Sequence, residues 1–368
     1  MSADPRRASL DARALGWLRE PPASWRCDEA RFAALALDLF AFQFEHCAPY
    51  RRFCERRGRT PERVAQWRQI PAVPAGAFKE MALRSFPTEC EVHVFRTSGT
   101  SSERRGALHL DTLELYEASL LASFRRGVLP DLAPGERARI RVLAPSPREA
   151  PDSSLSHMFG VVLSEFGDAA SGFDVQGAAL QVDALVAALE QASAEGVAVA
   201  LCGTAFAFVH LLDAFVERGV RIPLPPGSRV METGGFKGRA REMPRVALYQ
   251  GVEQALAVAA ERIVNQYGMT EVGSQFYDSV LCDPGRARRK LAPPWTRVRL
   301  VDPETGEDAR PGAPGIVTIF DLANTGSVLA IQTADLGRAI EDGFEVIGRE
   351  PGAEARGCSI AADEMLAR

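Results

Sequence analysis

Residues 95–106 read FRTSGTSSERRG, directly after an alternating apolar segment, EVHVF, that is typical of a β-strand. The small residues of this turn are Thr97, Ser98, Gly99 and Thr100, and the pair Arg104 and Arg105 follows them. A glycine allows backbone N–H groups to converge on an anion, and hydroxyls add donors or reach a magnesium ion. The turn lacks the GxxxxGKS or GxxxxGKT spacing of a Walker A loop. Taken alone, it fits a phosphate-binding turn and an ordinary polar turn equally well.

The composition is that of a globular protein. Of the 368 residues, 46% are apolar and 25% are charged, and no apolar run approaches the length of a membrane span. The N-terminal residues show no apolar segment followed by a cleavage site, so no secretory signal is evident. The net charge of −5 argues against a nucleic-acid-binding protein. Seven scattered cysteines without a CxxC pair argue against a zinc site and favour a reduced, cytoplasmic protein.

The order of the predicted elements indicates an α/β protein with a β-rich distal section. Up to about residue 290, strands such as RARIRVL and VAVALCG alternate with helices such as DALVAALEQASAEG, which predicts a parallel-type sheet. The segment 31–57 predicts a helix interrupted near Pro49, and Asp111 is predicted to cap a later helix. From about residue 295, TRVRLVD, GIVTIFDL, SVLAIQTADLG and FEVIGR predict short strands separated by turns. We therefore expect a core over residues 1–348 and a short tail over residues 349–368.

Three further motifs place glycines or carboxylates at predicted strand ends. In NQYGMTEVGS, residues 265–274, an aromatic ring is available to stack on a base and Glu271 to bind magnesium. In QTADLGR, residues 332–338, Asp335 is suited to accept hydrogen bonds from ribose hydroxyls. METGGFKGR, residues 231–239, ends a strand in a glycine pair. Each motif taken singly is also compatible with an ordinary turn.

The set and order of TSGTSS, METGG, YGMTE, TADLGR and GR resembles the adenylate-forming superfamily of acyl-CoA synthetases, luciferases and nonribosomal adenylation domains. Within it, the chain is most similar to the LuxE-type acyl-protein synthetases of bacterial fatty acid reductase complexes. That similarity depends on IPAVPAGAFKE, ETGGFKGR, the short length and a C-terminal RGCS. The resemblance covers about residue 40 to the end and implies the large N-terminal domain of the adenylate-forming fold.

The resemblance implies ATP and Mg²⁺ as cofactors and assigns the site residues. Those implied to contact ATP or AMP are Thr97, Ser98, Gly99, Thr100, Arg105, Gly234, Gly235, Tyr267, Gly268, Thr270, Asp335 and Arg349. The turn at Thr97 would hold the β- and γ-phosphates, and Tyr267 would stack on adenine. Glu271 would bind the metal ion. His157 lies in the segment that lines the acyl pocket of relatives, although a structural histidine fits the sequence equally well.

The chain departs from the superfamily pattern at its C-terminus. Relatives carry a mobile domain of roughly a hundred residues with a catalytic lysine, whereas only 19 residues, none of them lysine, follow Arg349 here. We therefore expect that domain to be largely missing. Of the three lysines, Lys290 lies in a predicted basic loop, which leaves Lys237 and Lys79 as candidate catalytic cations or as members of surface ion pairs. Cys358 matches the cysteine that takes the acyl group in LuxE-type enzymes; a free thiol without a role is the alternative.

Together these features predict an ATP-dependent enzyme that activates a carboxylic acid, with fatty acids expected, as acyl-AMP. Cys358 would then accept the acyl group and pass it to a partner resembling an acyl-CoA reductase. A compact aryl- or acyl-CoA ligase of the phenylacetate type is an alternative enzyme. An inactive nucleotide-binding scaffold is an alternative of another class.

Overall fold

The structure is a computed structural model that describes residues 4–97, 104–177, 179–234, 243–349 and 365. The helices in these ranges are α1 (Pro5–Leu18), α2 (Glu29–His46), α3 (Ala48–Arg56), α4 (Ala77–Glu80), α5 (Glu114–Val128), α6 (Ser154–Phe166), α7 (Val182–Glu195), α8 (Ala205–Arg218) and α9 (Arg245–Leu256). The strands are β1 (Val73–Pro74), β2 (His93–Arg96), β3 (Ala107–Leu110), β4 (Arg139–Leu143), β5 (Gly172–Phe173), β6 (Val175–Gln176), β7 (Ala179–Leu180), β8 (Val199–Thr204), β9 (Arg229–Thr233), β10 (Ile263–Tyr267), β11 (Phe276–Asp278), β12 (Lys290–Leu291), β13 (Thr296–Val301), β14 (Gly315–Asp321), β15 (Ala330–Ile340) and β16 (Gly343–Arg349). Among the described residues, none of the helices combines the length and apolar character needed to cross a bilayer.

The chain divides into two compact units, each built from discontinuous segments. The first unit comprises Met1–Ala122, Met269–Gln275 and Lys290–Arg368, and the second comprises Ser123–Gly268 and Phe276–Arg289. The segment NQYGMTEVGS therefore begins in the second unit and ends in the first.

The sheet of the second unit has the strand order β5-β4-β8-β9-β10-β11. Neighbours from β5 to β10 are parallel, and only the pair of β10 and β11 is antiparallel. Parallel neighbours require a crossover connection, which is why strands and helices alternate along this part of the sequence. The predicted parallel-type core is confirmed for this unit.

Helices α7, α8 and α9 bury their apolar faces in the core of the second unit. Thr204 ends β8 and caps α8, because its Oγ1 accepts a hydrogen bond from the Ala207 amide at 3.1 Å. Leu211 and Phe215 of α8 and Leu189 of α7 are buried in one cluster. Each such side chain contributes roughly 1.5–3 kcal/mol to stability. This packing fixes the strands whose ends carry the predicted glycine turn and tyrosine.

The sheet of the first unit is mainly antiparallel. β13, β14, β15 and β16 pair in sequence order, β12 pairs with β16, and β1 adds to β15 in parallel. The predicted PETGE and RPGAPG turns lie between β13 and β14, and EDG lies between β15 and β16. The β-rich section predicted from residue 295 is therefore confirmed.

The helices of the first unit confirm one sequence prediction and correct another. α2 ends at His46 and α3 begins at Ala48 with Pro49 in its first turn, as the interruption near Pro49 predicted. The prediction that Asp111 caps a helix is wrong, because α5 begins at Glu114. Asp111 Oδ1 instead accepts a hydrogen bond from the buried Arg7 guanidinium at 3.0 Å.

Candidate active site

The predicted phosphate-binding turn is carried by a hairpin of the first unit. β2 and β3 pair antiparallel from His93 with Leu110 to Arg96 with Ala107. Beyond the last pair, the Thr97 amide donates to Gly106 O at 2.9 Å, and the Gly106 amide donates to Thr97 Oγ1 at 2.9 Å. Thr97 is thus fixed at the base of the turn. The predicted residues Ser98, Gly99 and Thr100 lie outside the described residues.

The two arginines after the turn make different contacts. Arg105 Nε donates to Thr97 O at 2.6 Å, and its Nη2 donates to Arg96 O at 3.3 Å. Arg104 Nη1 forms an exposed ion pair with Glu80 Oε2 at 3.2 Å. Arg105 therefore fastens the base of the hairpin, whereas Arg104 pairs with α4, the helix that carries Lys79.

Glu271 is a buried carboxylate close to the base of this turn. Its exposed fraction is 6%. A Cβ placed on Gly106 would lie 3.5 Å from Thr97 Oγ1 and 3.6 Å from Glu271 Oε1. The absence of a side chain at Gly106 thus brings the threonine hydroxyl and the carboxylate to the same small volume. Carboxylate and hydroxyl oxygens are the ligands that Mg²⁺ prefers, so these residues fit a magnesium site.

In the second unit, the strand ends of β9 and β10 bring two other predicted residues together. The strands are parallel, with Thr233 paired to Gln266, and Thr233 Oγ1 donates to Gln266 O at 3.2 Å. Gly234 follows Thr233 with a φ of 78°, a left-handed conformation that favours glycine. Tyr267 ends β10 as the direct neighbour of Gln266. The carboxyl ends of adjacent parallel strands are common positions for ligand contacts.

A buried polar cluster beneath these strand ends is absent from the sequence predictions. Asn265 Nδ2 donates to Glu232 Oε1 at 2.8 Å, and the Tyr249 hydroxyl donates to the same oxygen at 3.1 Å. Glu232 is only 3% exposed. A glutamate directly after the apolar pair Val230 and Met231, within a predicted strand, is the signal in the sequence that could have identified this cluster.

Asp335 and Arg349, both predicted to contact ribose, are cross-strand neighbours in the first unit. The register of β15 and β16 pairs them directly, and Arg349 Nε donates to Asp335 Oδ1 at 3.3 Å. The Asp335 amide donates to Thr333 Oγ1 at 3.0 Å, which fixes the backbone at this position. Two motifs that are separate in the sequence thus supply one carboxylate–guanidinium pair.

The remaining predicted residues lie at several positions. Those in the described ranges are half-buried or exposed: Lys79 in α4, His157 in α6, Gly268 after β10 and Thr270 before Glu271. Those outside the described residues are Gly235, Lys237 and Cys358. The assignment of Lys290 to a loop is wrong, because it begins β12, pairs with Phe344 and is 3% exposed.

Burial distinguishes the described cysteines from one another. It raises the pKa of the Cys47 thiol to about 11 and that of Cys202 to about 12, and it also raises the pKa of Cys54 and Cys282. A thiol with a raised pKa carries little thiolate near neutral pH and is a poor nucleophile. Cys27, in contrast, is exposed.

The fold is that of the adenylate-forming enzymes. The structure aligns with 2-hydroxyisobutyryl-CoA ligase in complex with 2-HIB-AMP and CoA, with a TM-score of 0.62 and 16% identity, over 89% of this chain and 77% of that chain. The same ligase in the thioesterification state aligns with a TM-score of 0.61 and 17% identity, over 94% of this chain and 70% of that chain.

The sequence model of the LuxE acyl-protein synthetases matches residues 10–367. The chain therefore belongs to the LuxE acyl-protein synthetase family. It is 21% identical over 357 residues to the long-chain-fatty-acid–luciferin-component ligase of Vibrio harveyi, covering 94% of this chain and 91% of that protein. The ligase of the same name from Aliivibrio fischeri is 21% identical over 322 residues, covering 86% of this chain and 82% of that protein.

Proposed function

We propose that the chain activates a long-chain fatty acid with Mg-ATP and transfers the acyl group through Cys358 to a partner protein. The observation that carries this proposal is the proximity of the buried Glu271 carboxylate to Thr97 at the base of the phosphate turn. Membership of the acyl-protein synthetase family supplies the class of reaction, and the names of both bacterial relatives supply the long-chain acid.

The first half-reaction is adenylation of the acid. A carboxylate oxygen of the fatty acid attacks the α-phosphorus of ATP, the bond to the β-phosphate breaks, and pyrophosphate leaves. We assign Thr97, Arg105 and residues 98–100 to the phosphates, and Asp335 with Arg349 to the ribose. Mg²⁺, when bound by Glu271, would neutralise charge on the phosphate oxygens. Gly234, Gly235, Tyr267, Gly268 and Thr270 complete the proposed nucleotide contacts.

A further cation is needed near the reacting groups, and the proposal assigns it to Lys79 or Lys237. Lys79 belongs to α4, whose Glu80 already pairs with Arg104 of the phosphate turn. Lys237 follows the glycine turn by two residues in the sequence. His157 of α6 is the proposed contact with the acyl chain. Substitution of each by alanine distinguishes them, because loss of the cation lowers kcat, whereas loss of an acyl contact raises the KM for the acid.

The second half-reaction is acyl transfer to Cys358. Its thiolate attacks the carbonyl carbon of acyl-AMP, the carbon–sulfur bond forms, and the bond to the AMP oxygen breaks. The raised pKa values of the buried cysteines argue against those thiols as nucleophiles. We propose a protein resembling an acyl-CoA reductase as the final acceptor. Coenzyme A is the second candidate acceptor, because the aligned ligase structure contains CoA.

The first test is fatty-acid-dependent exchange of labelled pyrophosphate into ATP, with Glu271→Gln as the comparison variant. We expect exchange in the wild type and a loss of at least about 100-fold in the variant. Loss of a residue that only orients a metal ligand commonly lowers activity about 10- to 100-fold, and loss of the ligand itself should lower it further. Absence of exchange with every fatty acid tested would favour the inactive scaffold. Formation of acyl-CoA without a protein partner would favour the CoA ligase.

A further inference from the structure

The end of β14 and the connection that follows it contact the Glu271 segment at three points within the first unit. Residues 321–324 make these contacts, and residues 271–274 are contacted. The two segments are about fifty residues apart in the sequence. We call residues 321–324 the supporting turn.

The first contact joins the Asn324 side chain to the backbone of Glu271. Asn324 Nδ2 donates to Glu271 O at 3.0 Å and to Val328 O at 3.0 Å, so both amide hydrogens are used. Asn324 is 3% exposed. Without these donors the Glu271 carbonyl would lose a buried hydrogen bond, and the peptide group would be free to rotate.

The other two contacts involve Gly273 and Ser274. A Cβ on Gly273 would lie 3.3 Å from Ala323 Cβ and 3.4 Å from Ala323 C, so a side chain at this position would crowd the supporting turn. Ser274 Oγ donates to Asp321 Oδ1 at 2.8 Å, and the Ala323 amide donates to the same oxygen at 3.0 Å. The supporting turn therefore holds the segment at Glu271 and again at Gly273 and Ser274.

The supporting turn is itself held by a buried glutamine from α2. Gln43 is fully buried, its Nε2 donates to Asn324 O at 2.9 Å, and its Oε1 accepts from the Leu329 amide at 2.9 Å. These bonds leave the turn little freedom to move away from Glu271. Metal ligands are held most precisely when the residues that support them are themselves fixed by hydrogen bonds, as Gln43 fixes the supporting turn.

From this geometry we infer that Asn324 is a positioning residue for the magnesium site, acting through the backbone of Glu271. The inference rests on the proposed function, in which Glu271 binds the metal ion. Asn324 itself is not assigned a contact with the reacting atoms. Residues that orient a metal ligand commonly change metal affinity by about 10- to 100-fold when they are removed.

The test measures metal binding without turnover. Mn²⁺ replaces Mg²⁺, a non-hydrolysable ATP analogue is added, and free Mn²⁺ is followed by electron paramagnetic resonance in the wild type and Asn324→Ala. We expect about tenfold weaker Mn²⁺ binding in Asn324→Ala. Gly273→Ala crowds Ala323 of the same supporting turn without removing a hydrogen bond, and it should also weaken binding. Ser327→Ala is the matched control, because Ser327 Oγ donates at 2.6 Å to Leu83 O, away from Glu271.

The outcomes separate the inference from the proposed function. Weaker binding in Asn324→Ala and Gly273→Ala, with wild-type binding in Ser327→Ala, supports the positioning role. Wild-type Mn²⁺ affinity in a folded Asn324→Ala or Gly273→Ala overturns it, as does an equal loss in Ser327→Ala. If the wild type binds no Mn²⁺ with the nucleotide and catalyses no exchange, the proposed function is overturned, and the inference with it.

Discussion

Replacement of Gly106 by alanine tests the arrangement at the base of the phosphate turn. The new Cβ would lie 3.1 Å from Thr97 Cγ2, which is closer than an ordinary van der Waals contact, and 3.6 Å from Glu271 Oε1. Thr97 cannot move away easily, because its amide and hydroxyl both bond to Gly106 and its carbonyl accepts from Arg105. The methyl group would also occupy the volume next to the carboxylate.

Gly106→Ala should affect both stability and nucleotide binding. Overpacking of a well-packed site costs typically 1–3 kcal/mol, so the midpoint of thermal unfolding should fall by several degrees. Displacement of Thr97 or of the metal ion from Glu271 should raise the KM for Mg-ATP about tenfold, equivalent to about 1.4 kcal/mol. The pyrophosphate exchange rate is measured against Mg-ATP concentration, and unfolding is followed by calorimetry.

Gly16→Ala is the control for this experiment. Gly16 lies in α1, and a Cβ there would meet no atom within 4 Å. The substitution should leave the KM unchanged and raise stability by up to about 1 kcal/mol, since alanine favours helix. A Gly106→Ala protein with wild-type KM for Mg-ATP would show that Gly106 does not face the bound nucleotide.

Three further predictions concern separate parts of the first unit. Asp335→Ala should raise the KM for ATP by about tenfold in the exchange assay with little change in unfolding temperature, because its partner Arg349 is 60% exposed; an unchanged KM contradicts the ribose assignment. Burial raises the pKa of the Asp321 carboxyl to about 6, so the native state binds more protons than the unfolded chain between about pH 4 and 6. The free energy of unfolding should therefore fall as pH rises through this window, by on the order of 3 kcal/mol, and denaturant titrations of Asp321→Asn should lack that fall; an equal fall in the variant contradicts it. Met365 is fully buried, and its carbonyl accepts from Arg52 Nε at 2.5 Å, seven residues after Cys358. Met365→Ala removes this buried side chain and should slow acylation of Cys358 while pyrophosphate exchange stays unchanged; a wild-type acylation rate would show that burial of Met365 has no part in acyl transfer.

The strand ends of the site could be predicted from the sequence because local patterns determine them. A strand ending in glycines predicted the position of Gly234, and the short strand predicted before the YG pair placed Tyr267 at the end of a strand. The contact of Asp335 with Arg349 could not be read from either motif, because it depends on the register of β15 and β16.

The features that the sequence did not predict depend on partners that are distant in the chain. Asn324 lies in the segment ANTGS, which is typical of a turn, and its importance appears only when its donors reach Glu271. Lys290 ends a basic run that indicates solvent, yet pairing of β12 with β16 buries it. A run of charged residues predicts exposure to solvent because such residues are usually exposed, whereas the tertiary fold decides whether a particular one is buried.

The intact mass of the protein after incubation with Mg-ATP and long-chain fatty acids shows directly whether Cys358 carries the acyl group. We expect a gain of one acyl group that hydroxylamine removes, that is absent from Cys358→Ser, and that persists in the control Cys27→Ser, whose thiol is exposed. A hydroxylamine-sensitive acyl group that remains on Cys358→Ser would exclude Cys358 as the acyl carrier.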